Sequence, residues 1–121
     1  PAFWLRESGF QLDWKVDTAD EVAAIMAARD ARGSRTGIVL ANPIPVEQQW
    51  DPAEHDRVLS TAFAAAEEAG VRGKAVTPFL LGYIVDASGG TSLEVNLDLA
   101  RNNVRVAADV ATAWARIAPR P

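Results

Sequence analysis

The sequence predicts an α/β fold, with about two strands and four helices in its 121 residues. Residues 38–41 form an unbroken apolar run, which is typical of a strand buried on both faces of a sheet. Between residues 10 and 16 apolar side chains alternate with polar ones, the pattern of a strand with one buried face. Four helix-start signals accompany these two strands, so helices and strands share one chain.

The first predicted strand, residues 10–16, leads into a helix that begins at Asp17 and Thr18. Thr18 and Glu21 have the spacing of a capping box, in which each residue satisfies a free backbone N–H group of the other. Gly33 suits the left-handed backbone position that often ends a helix. We therefore expect the first helix between Thr18 and Gly33.

The second predicted strand, residues 37–41, ends in a stiff loop with the sequence Asn42-Pro43-Ile44-Pro45. Pro43 and Pro45 donate no backbone hydrogen bond, and each disfavours helical backbone in the residue before it. In open α/β sheets ligands bind beyond the carboxyl ends of the strands. Asn42 is therefore a candidate ligand-binding residue.

The second helix is predicted to begin at Asp51, with Pro52 at the first helical position and Glu54 as a capping glutamate, and to end at Gly70. His55 is the only histidine and lies beside Glu54, so these residues could also be read as a metal cluster. Because capping already explains both carboxylates, we favour an ordinary helix start beside a partly exposed histidine.

Thr77 and Pro78 give the same cap-plus-proline signal for a short third helix, from Phe79 to about Ala87. Lys74 lies in the loop before it, and no capping or packing role explains this lysine. A single lysine in a loop is usually only solvated, and we favour that interpretation over a binding role.

A long final helix is predicted after Gly89 and Gly90, with a capping box from Thr91 to Glu94. Glycines and hydroxyls at a helix N-terminus can also bind phosphate, but no strand or Walker lysine accompanies them, so we favour a plain helix start. Arg116 and Arg120 are expected near the helix end. Alternating steps of four and three predict a buried apolar seam formed by Leu93, Leu97, Ala100, Val104, Ala107, Ala111 and Trp114.

Three asparagines, Asn96, Asn102 and Asn103, are unexpected in this helix because asparagine is a poor interior helix former. Asn96 and Asn103 are seven residues apart and share one face, beside the apolar seam. A buried amide has to be hydrogen-bonded, to the protein or to a ligand. The residues alone leave structural bonding and ligand binding equally open.

Composition restricts the kind of protein to which the chain can belong. Apolar residues make up 49% and charged residues 23%, which favours one folded domain with an apolar core. The net charge of −4 argues against a nucleic-acid partner, and no run resembles a membrane span or a signal peptide. The absence of cysteine fits a cytoplasmic protein. The chain begins with Pro1 and an aromatic stretch, so we expect it to be part of a longer protein.

Three segments together resemble one family, the pseudouridine-5′-phosphate glycosidases, also called the indigoidine synthase A-like family. They are Val39-Leu40-Ala41-Asn42-Pro43-Ile44-Pro45, Gly73-Lys74-Ala75-Val76-Thr77-Pro78-Phe79-Leu80-Leu81, and Gly89-Gly90-Thr91-Ser92-Leu93 followed by Asn96 and Asn102-Asn103. The order and spacing of these motifs, rather than any one of them, make the resemblance specific. It covers essentially the whole chain, residues 1–121, as the C-terminal portion of a single glycosidase domain.

The resemblance implies an α/β/α layered fold, a homotrimer, and a glycosidase or lyase that reversibly cleaves the carbon–carbon glycosidic bond of pseudouridine 5′-phosphate. It also implies a covalent lysine, a proton-donating glutamate and an aspartate-associated manganese ion, all upstream of this chain. Asn96 corresponds to a family asparagine that contacts the pyrimidine base. Asn42, Lys74, Thr77 and Asn103 lie in family motifs and are further candidates for substrate binding. We expect the chain alone to be inactive and poorly soluble.

An alternative is a non-catalytic binding or partner module that retains only the C-terminal half of the fold. No nucleophile–base pair is apparent in the sequence, and no residue of this chain is a candidate for catalysis. The two hypotheses differ in whether the parent chain contains the lysine, glutamate and aspartate of the family.

Overall fold

Helices and short 3-10 turns are the regular secondary structure of the computed structural model, which describes residues 1–118. The helices are α1 (Ala19–Ala31), α2 (Pro52–Glu68), α3 (Val76–Ala87) and α4 (Thr91–Ile117). The 3-10 turns, Val46–Gln48 and Gly73–Ala75, precede α2 and α3. Arg120, which was expected near the end of the last helix, lies outside the described residues.

Of these described helices, none has the length and apolar character needed to cross a membrane.

The capping box predicted at the start of α1 is confirmed. The Thr18 hydroxyl accepts a hydrogen bond from the Glu21 backbone N–H at 3.2 Å, and the Glu21 carboxylate accepts from the Thr18 N–H at 2.9 Å. The same carboxylate accepts from the Asp17 N–H at 2.7 Å. Because the backbone donors of Asp17 and Thr18 stabilise the charged carboxylate, the pKa of Glu21 lies below its ordinary value.

The predicted start of α2 is confirmed as well, although Glu54 has a further role there. The Asp51 carboxylate accepts from the Glu54 N–H at 2.8 Å, and Pro52 occupies the first turn. The Glu54 carboxylate accepts from the indole Nε1 of Trp50 at 3.0 Å. Beyond the helix end, Gly70 has a φ of 63°, the left-handed conformation expected of it. The bond between Trp50 and Glu54 thus connects the first turn of α2 to a tryptophan of the core.

Helix α3 begins at Val76, three residues before the predicted start. The Val76 N–H donates to the carbonyl of Gly73, so α3 continues directly from the preceding 3-10 turn. Thr77 therefore lies inside the helix, and the prediction that it caps α3 is wrong. Pro78 is tolerated because the first N–H groups of a helix have no intrahelical acceptor.

The predicted α/β fold class is wrong for residues 1–118, which contain no strand and no sheet. Residues 10–16 and 37–41, the two expected strands, have no regular secondary structure. Trp14 is 87% exposed and Val39 is 94% exposed. A strand needs a neighbouring strand to complete its hydrogen bonds, and these two segments do not pair with each other. The apolar spacing of these segments did not establish a strand, because it does not specify a backbone partner.

The predicted apolar seam of α4 is also wrong. Leu93, Leu97 and Val104 are exposed, whereas the neighbouring Val95 and Leu99 are buried. The helix has apolar side chains on more than one face, and spacing alone does not decide which face packs against the protein. The exposed seam residues therefore remain uncovered in this chain.

Residues 1–8 and 43–100 form one compact unit with a continuous apolar core. Trp4 holds the start of the chain in this core, because its indole Nε1 donates to the Ser92 carbonyl at 2.9 Å. Its ring also meets that of Trp50 edge to face, with centroids 6.0 Å apart. The buried core side chains are those of Trp4, Ile44, Trp50, Val58, Ala62, Ile84, Val95 and Leu99.

Residues 9–42 and 101–118 belong to a second compact unit, which buries far fewer apolar side chains. Within its described part only Val22, Ala23 and Ala113 are buried apolar residues. Arg116 of α4 pairs with Asp20 of α1 at 3.2 Å, but both side chains are largely exposed. Exposed ion pairs of this kind contribute little to stability.

Candidate functional site

Asn42 and Asn103 are two predicted site residues that the structure brings into contact. Asn42 Nδ2 donates to Asn103 Oδ1 at 2.8 Å, across a separation of 61 residues, and both belong to the second unit. Each amide has one acceptor oxygen and one donor NH₂ group, so this bond leaves the Asn42 oxygen and the Asn103 nitrogen for another partner. The pair thus presents an acceptor beside a donor.

The segment that leads to Asn42 is held by hydrogen bonds on both sides. Before it, the Arg29 Nη1 of α1 donates to the Thr36 carbonyl at 2.6 Å, and Arg29 also pairs with Asp30 at 2.8 Å. After it comes the Asn42–Asn103 bond at 2.8 Å. Residues 37–41 are therefore tethered at each end although they have no strand partner.

Asn96 lies in α4 within the first unit and is half-buried. Among residues 1–118 the side-chain amide of Asn96 has no hydrogen-bond partner. Every fully buried side-chain nitrogen or oxygen in these residues does have one, so the amide atoms of Asn96 are not fully buried. The polar atoms of Asn96 are therefore accessible rather than consumed by the fold. This is the condition that a ligand-binding amide has to meet.

Asn102, in contrast, has a structural role in the second unit. It is buried, and its Oδ1 accepts from Arg105 Nη2 at 2.7 Å. The alternatives that the sequence left open for the helical asparagines thus divide between residues: Asn102 is bonded within the protein and Asn96 is not.

Lys74 and Thr77 lie on either side of the junction between the second 3-10 turn and α3. Lys74 belongs to the turn and Thr77 is the second residue of α3, and both are exposed. Both belong to the first unit, as Asn96 does. Both side chains are therefore accessible to a ligand.

The glycine pair before α4 acts as a helix stop and start, as favoured from the sequence. Gly89 and Gly90 have positive φ values of 57° and 91°. The Ser88 hydroxyl accepts from the Ser92 backbone N–H at 3.2 Å and donates to the Ser92 hydroxyl at 3.1 Å. Because Ser92 is only 1% exposed, a phosphate cannot reach this N–H group without displacing Ser88.

His55 packs against tryptophan rings. Its ring centroid lies 6.0 Å from that of Trp4 and 5.7 Å from that of Trp50, and its Nδ1 is 2.9 Å from an Asp56 carboxylate oxygen. Within residues 1–118 no three side chains of histidine, aspartate or glutamate are placed to hold a metal ion. The described side chains therefore do not form a manganese site by themselves.

Arg6 supports the Asn-Pro-Ile-Pro loop, a role that sequence reasoning missed. Its Nη1 donates to the Ile44 carbonyl at 3.2 Å, and its backbone N–H donates to Gln49 Oε1 at 2.9 Å. Ile44 is fully buried, so the middle of the loop is anchored in the core of the first unit. The only sequence signal near Arg6 was the aromatic start of the chain. It predicted that the first residues are buried but did not identify the Ile44 carbonyl as the partner of Arg6.

The described residues thus form a helical scaffold with accessible side-chain amides. Residues 1–113 match the family described as Indigoidine synthase A like protein, and the chain belongs to that family. The resemblance recognised in the sequence motifs is confirmed.

Named relatives agree with this assignment. A pseudouridine-5′-phosphate glycosidase from Frankia alni is 56% identical over 115 residues, which are 95% of this chain and 32% of that protein. A protein of the same name from Saccharopolyspora erythraea is 49% identical over 95% of this chain and 38% of its own length. The chain thus spans about a third of the length of these curated relatives, and it matches their C-terminal part.

A solved structure shares the path of this backbone. The prealnumycin C-glycosynthase AlnA, crystallised in complex with ribulose 5-phosphate, matches with a TM-score of 0.83 and 25% sequence identity. The match covers 96% of this chain and 38% of the glycosynthase chain.

Proposed function

We propose that this chain is the C-terminal part of a pseudouridine-5′-phosphate glycosidase. The complete enzyme would reversibly cleave the carbon–carbon glycosidic bond of pseudouridine 5′-phosphate, giving uracil and ribose 5-phosphate. The observation that carries the proposal is the 56% identity to a protein of that name across 95% of this chain. The motifs that contain Asn42, Lys74, Thr77, Asn96 and Asn103 all lie inside that match.

Asn96 is the proposed contact to the base. Uracil presents alternating N–H donors and carbonyl acceptors along its edge, and a carboxamide has one donor group and one acceptor with which to meet them. The accessible, unpaired amide of Asn96 meets the first requirement for this contact. Asn42, Asn103, Lys74 and Thr77 are proposed as further substrate-binding residues on the strength of the family motifs.

The bond-breaking groups of the proposed enzyme lie outside this chain. A carbon–carbon glycosidic bond has no leaving-group oxygen for a paired carboxylate to protonate, so ordinary glycoside hydrolysis does not apply. The family resemblance implies a covalent lysine, a glutamate and manganese, together with a homotrimer and a cytoplasmic location. These features belong to the proposal for the complete enzyme, and this chain is proposed to supply binding and scaffold.

The test is the Asn96→Ala substitution in the complete enzyme, with uracil release as the assay. Loss of one base hydrogen bond predicts a decrease in kcat/KM of about tenfold, the equivalent of about 1.4 kcal/mol. Far-UV circular dichroism should be unchanged, because Asn96 has no hydrogen-bond partner within residues 1–118.

Glu94→Ala, at an exposed position of the same helix, is the matched control and should leave the kinetics unchanged. Equal kcat/KM values for Asn96→Ala and the unsubstituted enzyme would remove Asn96 from the site. A complete protein that binds pseudouridine 5′-phosphate without cleaving it would instead support the non-catalytic module.

A further inference from the structure

We propose that Trp4 is a positioning residue, which fixes the turn of α4 that carries Asn96 by holding the carbonyl of Ser92. The inference rests on the proposed function, because Asn96 matters to the reaction only if it contacts the base. Trp4, Ser92 and Asn96 all belong to the first unit. The three motifs that carry the family resemblance do not include Trp4, so the structure alone assigns this role.

Trp4 is bonded directly to the backbone of α4. Its indole Nε1 donates to the Ser92 carbonyl at 2.9 Å. In an α-helix each carbonyl accepts from the N–H of the fourth residue after it, and α4 begins at Thr91, so the helical donor to this carbonyl is the N–H of Asn96. A carbonyl oxygen has two lone pairs and can accept both bonds. The side chain of Trp4 and the backbone of Asn96 thus share one acceptor.

Both sides of the Trp4–Ser92 bond are fixed by further contacts. The Trp4 carbonyl accepts from the Trp50 N–H at 3.1 Å, and the two indole rings pack edge to face. On the other side, the Ser88 hydroxyl accepts from the Ser92 N–H at 3.2 Å and donates to the Ser92 hydroxyl at 3.1 Å. Trp4, Ser88 and Ser92 are all buried. A buried polar network whose members are all hydrogen-bonded holds its backbone in one arrangement.

Asn96 has no side-chain hydrogen bond of its own to position it. Its amide is half-buried and has no partner among residues 1–118. The place of the amide is therefore set by its rotamer and by the backbone of its helical turn. A binding group has to be held within about 0.5 Å of its productive position by supporting residues, and the Trp4–Ser92 bond lies one turn before Asn96. Loss of the indole N–H should loosen this turn and weaken the base contact.

The experiment compares two tryptophan substitutions in the complete enzyme, at a temperature well below the unfolding midpoint of every variant. Trp4→Phe keeps an aromatic ring but removes the N–H that donates to Ser92. Trp50→Phe, the matched control, removes the same atoms from a buried side chain that contacts Trp4, but the indole N–H of Trp50 donates to Glu54 and not to α4. The control therefore loosens the same core and keeps the donor to Ser92.

Trp4→Phe should lower kcat/KM for uracil release by about threefold to tenfold, and by no more than Asn96→Ala does, because it acts through Asn96. In the Asn96→Ala background the same substitution should change kcat/KM by less than about twofold. Trp50→Phe should leave kcat/KM within about twofold in both backgrounds. A residue that only supports the fold would instead give the same loss in both backgrounds.

Hydrogen exchange, measured without substrate, tests the hold on α4 independently of catalysis. The peptide that contains residues 92–96 should exchange at least about threefold faster in Trp4→Phe than in the unsubstituted enzyme, because the first turn of α4 opens more often when the bond is lost. Trp50→Phe should leave the exchange of this peptide unchanged.

Three outcomes would overturn the inference: an unchanged kcat/KM in Trp4→Phe when Asn96→Ala lowers it, an equal loss with and without Asn96, or equal exchange of residues 92–96 in the two tryptophan variants. Unchanged kinetics in Asn96→Ala, or no uracil release by the unsubstituted enzyme, would instead count against the proposed function. The exchange measurement would then still decide whether Trp4 fixes the turn.

Discussion

Trp4 is the residue at which the structure makes its sharpest energetic prediction. Trp4→Phe keeps an aromatic ring in the core but removes the indole N–H that donates to the Ser92 carbonyl at 2.9 Å. That carbonyl keeps its helical hydrogen bond in α4, so the lost bond costs about 1 kcal/mol rather than a full desolvation penalty. The smaller ring also leaves space beside Trp50, which adds about 1–2 kcal/mol. We expect the free energy of unfolding to fall by about 2–3 kcal/mol.

The measurement is urea unfolding followed by far-UV circular dichroism at dilute protein concentration. Trp14→Phe is the matched control, because the same atoms are removed from a side chain that is 87% exposed. Its free energy of unfolding should stay within about 0.5 kcal/mol of the unsubstituted chain. Equal losses for the two substitutions would refute the reasoning, since burial of Trp4 and its bond to Ser92 would then contribute nothing.

Further predictions concern the cap of α1 and the paired amides. Thr18→Ala should lower the free energy of unfolding by about 1 kcal/mol in urea titrations, and a loss below about 0.2 kcal/mol would argue against the cap. The pKa of Glu21 is lowered in the folded chain, so the ionised Glu21 carboxylate stabilises the fold at neutral pH, and this contribution is lost as the pH falls through the lowered pKa. Glu21→Gln should therefore flatten the acidic part of the pH–stability profile. An unaltered profile would contradict the assignment. A double-mutant cycle of Asn42→Ala and Asn103→Ala should give a coupling energy of about 0.5–1 kcal/mol in unfolding measurements. The control cycle of Asn42→Ala and Asn96→Ala should give no coupling energy.

The helices of this chain were largely predictable because their start and stop signals are local. Thr18 with Glu21, and Asp51 with Pro52, lie within one turn of the backbone groups that they satisfy, so residue type and spacing were sufficient. The start of α3 was missed because a 3-10 turn continues into it, and this continuation leaves no cap residue to recognise.

The strands and the apolar seam depended on partners that a sequence pattern does not specify. Alternation between residues 10 and 16 predicts a strand only if a second backbone completes its hydrogen bonds, and within residues 1–118 none does. In α4 two apolar faces compete, and the packed face, with Val95 and Leu99, is set by contacts with the rest of the first unit. Tertiary packing therefore decided both outcomes.

Part of the candidate site could be predicted from residue chemistry. Asparagine at Asn96 and Asn103 was unusual for a helix, whereas Asn42 was selected as the residue after a predicted strand that the structure does not contain. The bond between Asn42 and Asn103 was not predictable, because no local rule connects residues 61 positions apart. The distinct roles of Asn96 and Asn102 likewise depend on the neighbours that the fold places beside each amide.

The bond between Trp4 and the Ser92 carbonyl has a consequence for the order of folding during synthesis. It joins residues 88 positions apart, so the core of the first unit cannot close until Ser92 has left the ribosome. At about 5–20 residues per second, Trp4 waits for roughly 4–18 s as an exposed aromatic side chain on a growing polypeptide. Over that interval the Trp4 ring has no core to enter, so the first unit completes its core only after Ser92 has been synthesised.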